Sequence, residues 1–557
     1  MRAPFLRALL FLVLLLPSAQ FAWRNRDMPQ FAYLHDDGLF FVSAKSVASG
    51  TGYRIASLPE APAQTKYPPL YPVWLSLIWR MNPRFPGNLQ LATLFSWLTL
   101  VACLALAHRL FRRLFGKQPE GERTAWILTA LLGISPFMIL FGTSMFSEVP
   151  FTCLVLAALL LSDGNPSDGN QRNGRIAAAG VLAGCAYLCR TAGIALVLGI
   201  PLSMILVGRL VGPHKGQSIP WRRIGIFLAT SLPAVAGWTL WTATHRLGTQ
   251  DSTLLYYVDY IHYQFVNVGW DNFAVVLWKN ADELLYGMGA LVLPKLETSP
   301  PVKMLTEALG VAMISGVVRL LRQGKAASYA AFAGLSILML LVWHFPPNER
   351  LVLPLFPLLL AGLYTEMQHL WTMLRSALQH RDKSQRAVAR LFGTAIAGIL
   401  AIAVGLQIYM ALVFMNQTAA LQRAKLADRK AAYQFIATQL PPTSAVLSYD
   451  DPLLYLYTNR QGNYLPLLPR WWYAEDHQKI VAEYQDVAAY CRRRGLDYFY
   501  FTTEDLSRET GEDDRKAIET AVRQNPELVP VYTAGIGTVY RVLALPPVTI
   551  KIAHAGR

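Results

Sequence analysis

Two adjacent carboxylates, Asp36 and Asp37 in the run HDDGLFF at residues 35–41, stand directly after the first long apolar stretch of this chain. Carboxylates at the edge of a bilayer are unfavourable unless water, a cation or a reacting group satisfies them. A carboxylate placed there is a candidate general base for a substrate held where lipid meets water. Other ionisable residues occupy comparable boundaries. Glu148 begins an apolar run, Lys66 precedes Tyr67 and two prolines, Arg190 lies between two closely spaced apolar runs, and Arg350 follows Glu349 at the start of another. The basic residues suit a phosphate, although arginines also snorkel at the ends of spans and first-turn acids such as Glu148 also suit the helix dipole. Asp450-Asp451-Pro452 could pass for a second acidic site, but Asp before Pro at a helix start is ordinary helix capping, the favoured reading. His35, His262 and His344 are near the same boundary, with His35 a candidate substrate contact, but their spacing makes no metal motif. The five cysteines are too scattered for a disulfide framework. The Asp pair with Glu148 leaves a loosely held divalent cation open.

These residues must be positioned by a mostly apolar chain. Of its 557 residues 53% are hydrophobic and 15% charged, against about 25% charged in soluble domains, which indicates a polytopic membrane protein. The formal charge of +16 is concentrated in short loops between apolar runs, as topology determinants are, and no basic motif interleaved with aromatics points to nucleic acid. Apolar runs long enough to be read as spans fall near residues 4–22, 88–108, 124–141, 147–161, 175–189, 191–208, 223–244, 303–321, 327–344, 351–371 and 391–415, about eleven in all. The first has signal-peptide character without a clean small-x-small site and is retained as an anchor. Lys and Arg crowd alternate loops (Arg109, Arg112, Arg113, Lys117, Arg123; Arg319, Arg322, Lys325), which puts the N-terminus inside and segments 23–87, 245–302 and 416–557 outside. Residues 284–294 are too short to span and read as re-entrant or interfacial.

In the first outer segment, residues 39–48 predict an interfacial helix and 71–81 a second short amphipathic one. Segment 245–302 is rich in aromatics (Tyr256, Tyr257, Tyr260, Tyr263, Phe265, Trp270), the pattern of an interfacial belt more than of a sugar-stacking platform. Segment 416–557 predicts a small α/β domain: a helix over 418–439, strands over 445–449 and 497–502, and a hairpin over 529–542. The expected architecture is an all-α polytopic membrane domain, residues 1–415, with a C-terminal extracytoplasmic α/β domain, residues 416–557.

The acid pair after the first span, ASGTGY at 48–53, KYPPLYP at 66–72, SEVPF at 147–151, CRTAG at 189–193 and ERLVLPLFP at 349–357 together resemble the GT-C class of polytopic glycosyltransferases. The nearest likeness is to the protein O-mannosyltransferase and lipid A aminoarabinose transferase-like branch of bacterial membrane proteins, over about residues 1–415. The resemblance implies sugar transfer, with inversion, from a polyprenyl-phosphate donor to a lipid, glycan or protein acceptor on the outer face of the cytoplasmic membrane. It implies a first-loop acid, Asp36 or Asp37 with a slight preference for Asp37, as the base. His35, Lys66, Glu148, Arg190 and Arg350 are the expected substrate-binding set. A secondary transporter or lipid-carrier flippase is the alternative, and it would place ionisable residues near the midplane, often within inverted repeats. Here the charges gather at one face and no repeat is evident. A non-catalytic scaffold leaves that clustering without a reason.

Overall fold

The computed structural model describes residues 2–32, 34–163, 171–210, 219–259, 261–263, 268–294, 299–379, 383–507 and 509–544. Tyr260 and Phe265 therefore lie outside the described residues. The helices of the first 439 residues are α1 Arg2–Arg24, α2 Asp36–Ala48, α3 Leu70–Met81, α4 Leu89–Phe115, α5 Gly121–Gly133, α6 Pro136–Thr143, α7 Glu148–Ser162, α8 Gln171–Cys189, α9 Ile194–Leu210, α10 Trp221–His245, α11 Ser252–Val258, α12 Phe273–Ala290, α13 Pro300–Arg322, α14 Ala327–Leu341, α15 Glu349–Leu378 and α16 Lys383–Gln439.

Among the described residues six helices (α1, α4, α10, α13, α15 and α16) are long and apolar enough to cross a membrane, and a seventh if the bent pair α5–α6 counts as one span. The expected count of about eleven is not reached on length and composition. A 15-residue helix such as α7 or α14 rises roughly 22 Å, short of a hydrocarbon core of about 30 Å. The 62° bend between α5 and α6 falls at Pro136, whose ring disfavours helical geometry in the residue before it and suits the first turn of a new helix. Residues 284–290, expected as re-entrant, continue α12.

The central helix α15 carries Arg350 at its start, and glycines let its neighbours approach. A Cβ on Gly316 of α13 would lie 1.8 Å from the Gly362 carbonyl of α15, and one on Gly289 of α12 would lie 1.8 Å from the Thr306 carbonyl of α13. Only residues without a side chain permit such backbone proximity.

The helix predicted over 39–48 forms as α2, and it is buried within the protein. Nine of its residues, including Asp37, Phe40, Phe41 and Val42, are buried, because FFVSA is apolar on every face and α3 and the C-terminal domain cover it. The separately predicted span 391–415 and helix 418–439 are one continuous helix of 57 residues, α16, with a π-helical turn at Met410–Phe414. The 415/416 boundary thus falls inside an element. Beyond it come β1 Val446–Ser448, α17 Asp451–Thr458, β2 Gly462–Asn463, β3 Tyr498–Thr502, β4 Leu528–Ala534 and β5 Gly537–Val542. They form a five-stranded mixed sheet in the order β2-β1-β3-β5-β4, parallel among the first three strands and antiparallel at the β3–β5–β4 side. This domain sits on the segment of residues 23–87. Gly462 N donates to the Ser57 carbonyl at 2.8 Å, Arg494 pairs with Glu60 at 2.7 Å, and Arg423 pairs with Asp27 at 2.7 Å.

Candidate active site

The first residues of α2, the start of α15 and the start of α7 converge. Acids in a first helical turn are favoured by the helix dipole, which accounts locally for Asp36, Asp37 and Glu148. Their partners are supplied from far along the chain. Arg350 donates from Nη2 to Asp36 Oδ2 at 2.7 Å and from Nε to Glu148 Oε1 at 2.5 Å. Arg190 donates from Nη1 to the same Glu148 oxygen at 2.6 Å and to Ser147 Oγ at 2.9 Å. The Tyr67 hydroxyl donates to Asp36 Oδ1. Asp36 is thus the end of a chain of alternating charge, Asp36–Arg350–Glu148–Arg190, in which Glu148 is fully buried.

Above this chain lies a cavity of about 490 Å³. Its floor is Asp36, Arg350 and Lys66, and its walls include Tyr256, Tyr263 and His344 from the membrane domain and Tyr449, Tyr464, Trp472 and Glu509 from the C-terminal domain. The Lys66 ammonium stands 4.0 Å over the Tyr256 ring, a cation–π contact strengthened by its burial. Arg350 and Leu351 also line a second, narrower apolar cleft with Phe151, Phe332, Met339 and Leu340. One guanidinium therefore lines both a larger cavity of mixed charged, aromatic and aliphatic walls and a smaller, mainly apolar cleft.

The two aspartates have different environments. Asp36 keeps a quarter of its side chain accessible. Burial opposes its ionisation, yet Arg350 and Lys66 together with the Tyr67 hydroxyl overcome this and hold its carboxyl well below the usual range. Asp37 is fully buried and does not line the cavity. Its Oδ2 accepts from the Ala32 amide at 2.9 Å, and its Oδ1 has no hydrogen-bond partner among the described residues. Burial raises its pKa to about 7. Successive residues of a helix project about 100° apart, and of this tandem pair only Asp36 lines the cavity. The slight sequence preference for Asp37 as the base meets a geometry that turns Asp36, not Asp37, to the cavity. Lys66 is pulled down to about 8, chiefly by burial, with Asp36 opposing the shift and Arg350 adding to it.

The seven expected site residues are brought together with the exception of Asp37: His35, Asp36, Lys66 and Arg350 line the cavity, and Glu148 and Arg190 lie behind Arg350. Tyr256, Tyr257 and Tyr263, expected in an interfacial belt, are instead folded over the site, whereas Trp270 is 74% exposed. Asp450 makes no side-chain cap and is held by Arg429 at 2.8 Å and Ser448 at 2.7 Å. Asp451 reaches His35 at 2.6 Å. The capping expected of this pair gives way to long-range contacts. Asp451 stood out only as part of the acidic Asp450-Asp451-Pro452 motif, read as capping, and Tyr464 and Glu509 left no local trace in the sequence. The tyrosines of segment 245–302 did, as an aromatic cluster.

Among the described residues no group of three His, Cys, Asp or Glu side chains is arranged to hold a metal ion. Asp36 and Glu148, the acids expected to share a cation, have the Arg350 guanidinium between them. A fixed positive charge there does not fit a divalent ion in the same place.

No protein-family description and no curated protein matches the sequence. Solved structures do match the fold. The oligosaccharyltransferase of Archaeoglobus fulgidus, in complex with Zn and sulfate, superposes with a TM-score of 0.50 at 13% identity, covering 91% of this chain and 69% of that one. ArnT from Cupriavidus metallidurans bound to undecaprenyl phosphate gives 0.49 at 14% identity, covering 92% and 94%. The mycobacterial arabinofuranosyltransferase AftD gives 0.41 at 15% identity, covering 95% and 40%. The chain has the fold of the GT-C glycosyltransferases.

Proposed function

We propose that the protein is an inverting glycosyltransferase that moves a sugar from a polyprenyl-phosphate donor to an envelope acceptor at the outer face of the membrane. The observation that carries this reading is the apposition of Asp36 with Arg350 on the floor of a cavity that also holds Lys66, with a mainly apolar cleft lined by the same arginine. A lipid-linked phosphate has that dual character. In this reading about eleven apolar segments cross the bilayer, the N-terminus is cytoplasmic and the C-terminal domain is outside.

The chemistry follows from the charges. The donor phosphate is held by Arg350 and Lys66, with its lipid along the apolar cleft and its sugar in the cavity. Asp36 takes the proton of the acceptor nucleophile as that atom bonds to the anomeric carbon, and the C–O bond to phosphate breaks with its electron pair. The phosphate gains charge as it departs, and preorganised cations stabilise that charge most where water is excluded. Donor binding also activates the base. A phosphate competes with Asp36 for Arg350 and Lys66, so the carboxylate regains basicity only when a leaving group is in place. Glu148 and Arg190 hold Arg350 in position. The aromatic walls suit stacking of a sugar ring, and the C-terminal domain helps to shape the acceptor side.

The test is a reconstitution in liposomes with polyprenyl-phosphate donors labelled in the sugar. Label transferred to an acceptor with equal release of free polyprenyl phosphate supports the reading. Movement of intact donor across the bilayer with no bond broken replaces it with transport.

A further inference from the structure

The C-terminal domain reaches the floor of the cavity through one turn. The Asp451 carboxylate, 1% exposed at the start of α17, has Oδ1 at 2.6 Å from His35 Nε2 and accepts the Tyr257 hydroxyl on the same oxygen at 2.8 Å. Its Oδ2 has no hydrogen-bond partner among the described residues. His35 adopts φ 66°, ψ −45°. A non-glycine residue in that region is strained and persists only where its surroundings over-determine it. Those surroundings are Asp451 on one ring nitrogen, the Tyr256 hydroxyl at 3.2 Å on the other, and the rings of Tyr256, Tyr257 and Tyr464 with centroids 5.6–5.7 Å away. Beside Asp451, Pro452 rests on α2 at Gly38, where a Cβ would come within 2.7 Å of the proline Cβ. Asp36 lies between these two contacts in the chain.

We infer that Asp451, acting through His35, is a positioning residue that fixes the Asp36 carboxylate towards Arg350 and Lys66, so that the C-terminal domain completes the active site. Asp451 Oδ1 engages one ring nitrogen and the Tyr256 hydroxyl the other. The ring then cannot turn without losing both bonds, and the turn that presents Asp36 is locked with it. Helix capping alone does not explain the arrangement, since Asp451 spends its carboxylate on a residue 416 positions away.

The kinetic part of this inference rests on the glycosyl-transfer reading, and a substrate-free measurement separates the two. In full-length protein in liposomes, Asp451→Asn is expected to lower kcat by about ten- to a hundredfold with the donor KM within about twofold, and to speed amide hydrogen exchange over residues 30–40 while β3 stays protected. His35→Asn combined with Asp451→Asn is expected to be no worse than His35→Asn alone. If Asp451→Asn does not fold, Tyr257→Phe, which removes one of the two bonds on Asp451, carries the same readouts. Unchanged exchange over 30–40, or independent and multiplicative losses from the two substitutions, would overturn the inference. A wild-type protein that transfers no sugar would overturn the glycosyl-transfer reading and leave the exchange result to decide this one.

Discussion

Arg350 donates to Asp36 across 2.7 Å although 314 residues separate them in sequence. The same guanidinium also bonds Glu148, so one side chain satisfies two carboxylates, one of them in a fully buried position. A planar fork of donors is suited to this, and an ammonium is not. Arg350→Ala leaves Glu148 with Arg190 alone and Asp36 beside Lys66. Removing one partner of a buried ion pair costs about 3–5 kcal/mol. Thermal unfolding in detergent should show a loss of that order for Arg350→Ala, and Arg350→Lys should regain part of the stability while transfer stays depressed.

Asp37 gives a stability signature that a catalytic role does not require. Its folded pKa is raised from 3.8 to about 7, so between those values the folded state binds more protons than the unfolded chain. Stability therefore falls as pH rises from about 4 to about 7 and is flat above that. Asp37→Asn should remove this slope in denaturation measured across the interval, with a smaller effect on transfer than Asp36→Asn has.

Lys66 makes donor binding pH-dependent on the alkaline side. With its pKa lowered to about 8, the ammonium is present below that pH and lost above it. The donor KM is expected to rise above pH 8 in the wild type. Lys66→Arg, which keeps its charge throughout, should hold KM flat to pH 9.

Chelation separates a guanidinium-based site from a metal-based one. Because Arg350 stands between Asp36 and Glu148, transfer is expected to survive EDTA and to change less than about twofold on adding Mg²⁺ or Mn²⁺. Abolition by EDTA with recovery on adding back one ion would show that the arginine yields its place.

Much of this was legible where local pattern is enough. Asp36, Glu148, Lys66, Arg190 and Arg350 stand out as charges at the edges of apolar runs, and β1, β3 and the β4–β5 hairpin fall on the strand-like runs at 445–449, 497–502 and 529–542. Helix α2 was harder to read, since a segment apolar on all faces looks the same in sequence whether it lies on a lipid surface or inside the protein. Which of Asp36 and Asp37 faces the cavity was not legible, because it depends on what packs against α2. Asp451 was visible as an acid but not as part of this site. Asp-Pro at a helix start has a sufficient local explanation, and a contact made over 416 positions leaves no periodicity behind. Glu509 and Tyr464 were hidden for the same reason, because the fold of a second domain decides that they face the cavity.

Single-turnover sugar transfer from a labelled polyprenyl-phosphate donor reads out whether Asp36 abstracts the acceptor proton. Asp36→Asn, alone and with Asp37→Asn, should slow the transfer step by about 10²- to 10⁴-fold while labelled donor still binds. Transfer at the wild-type rate in both variants would rule out Asp36 as the base.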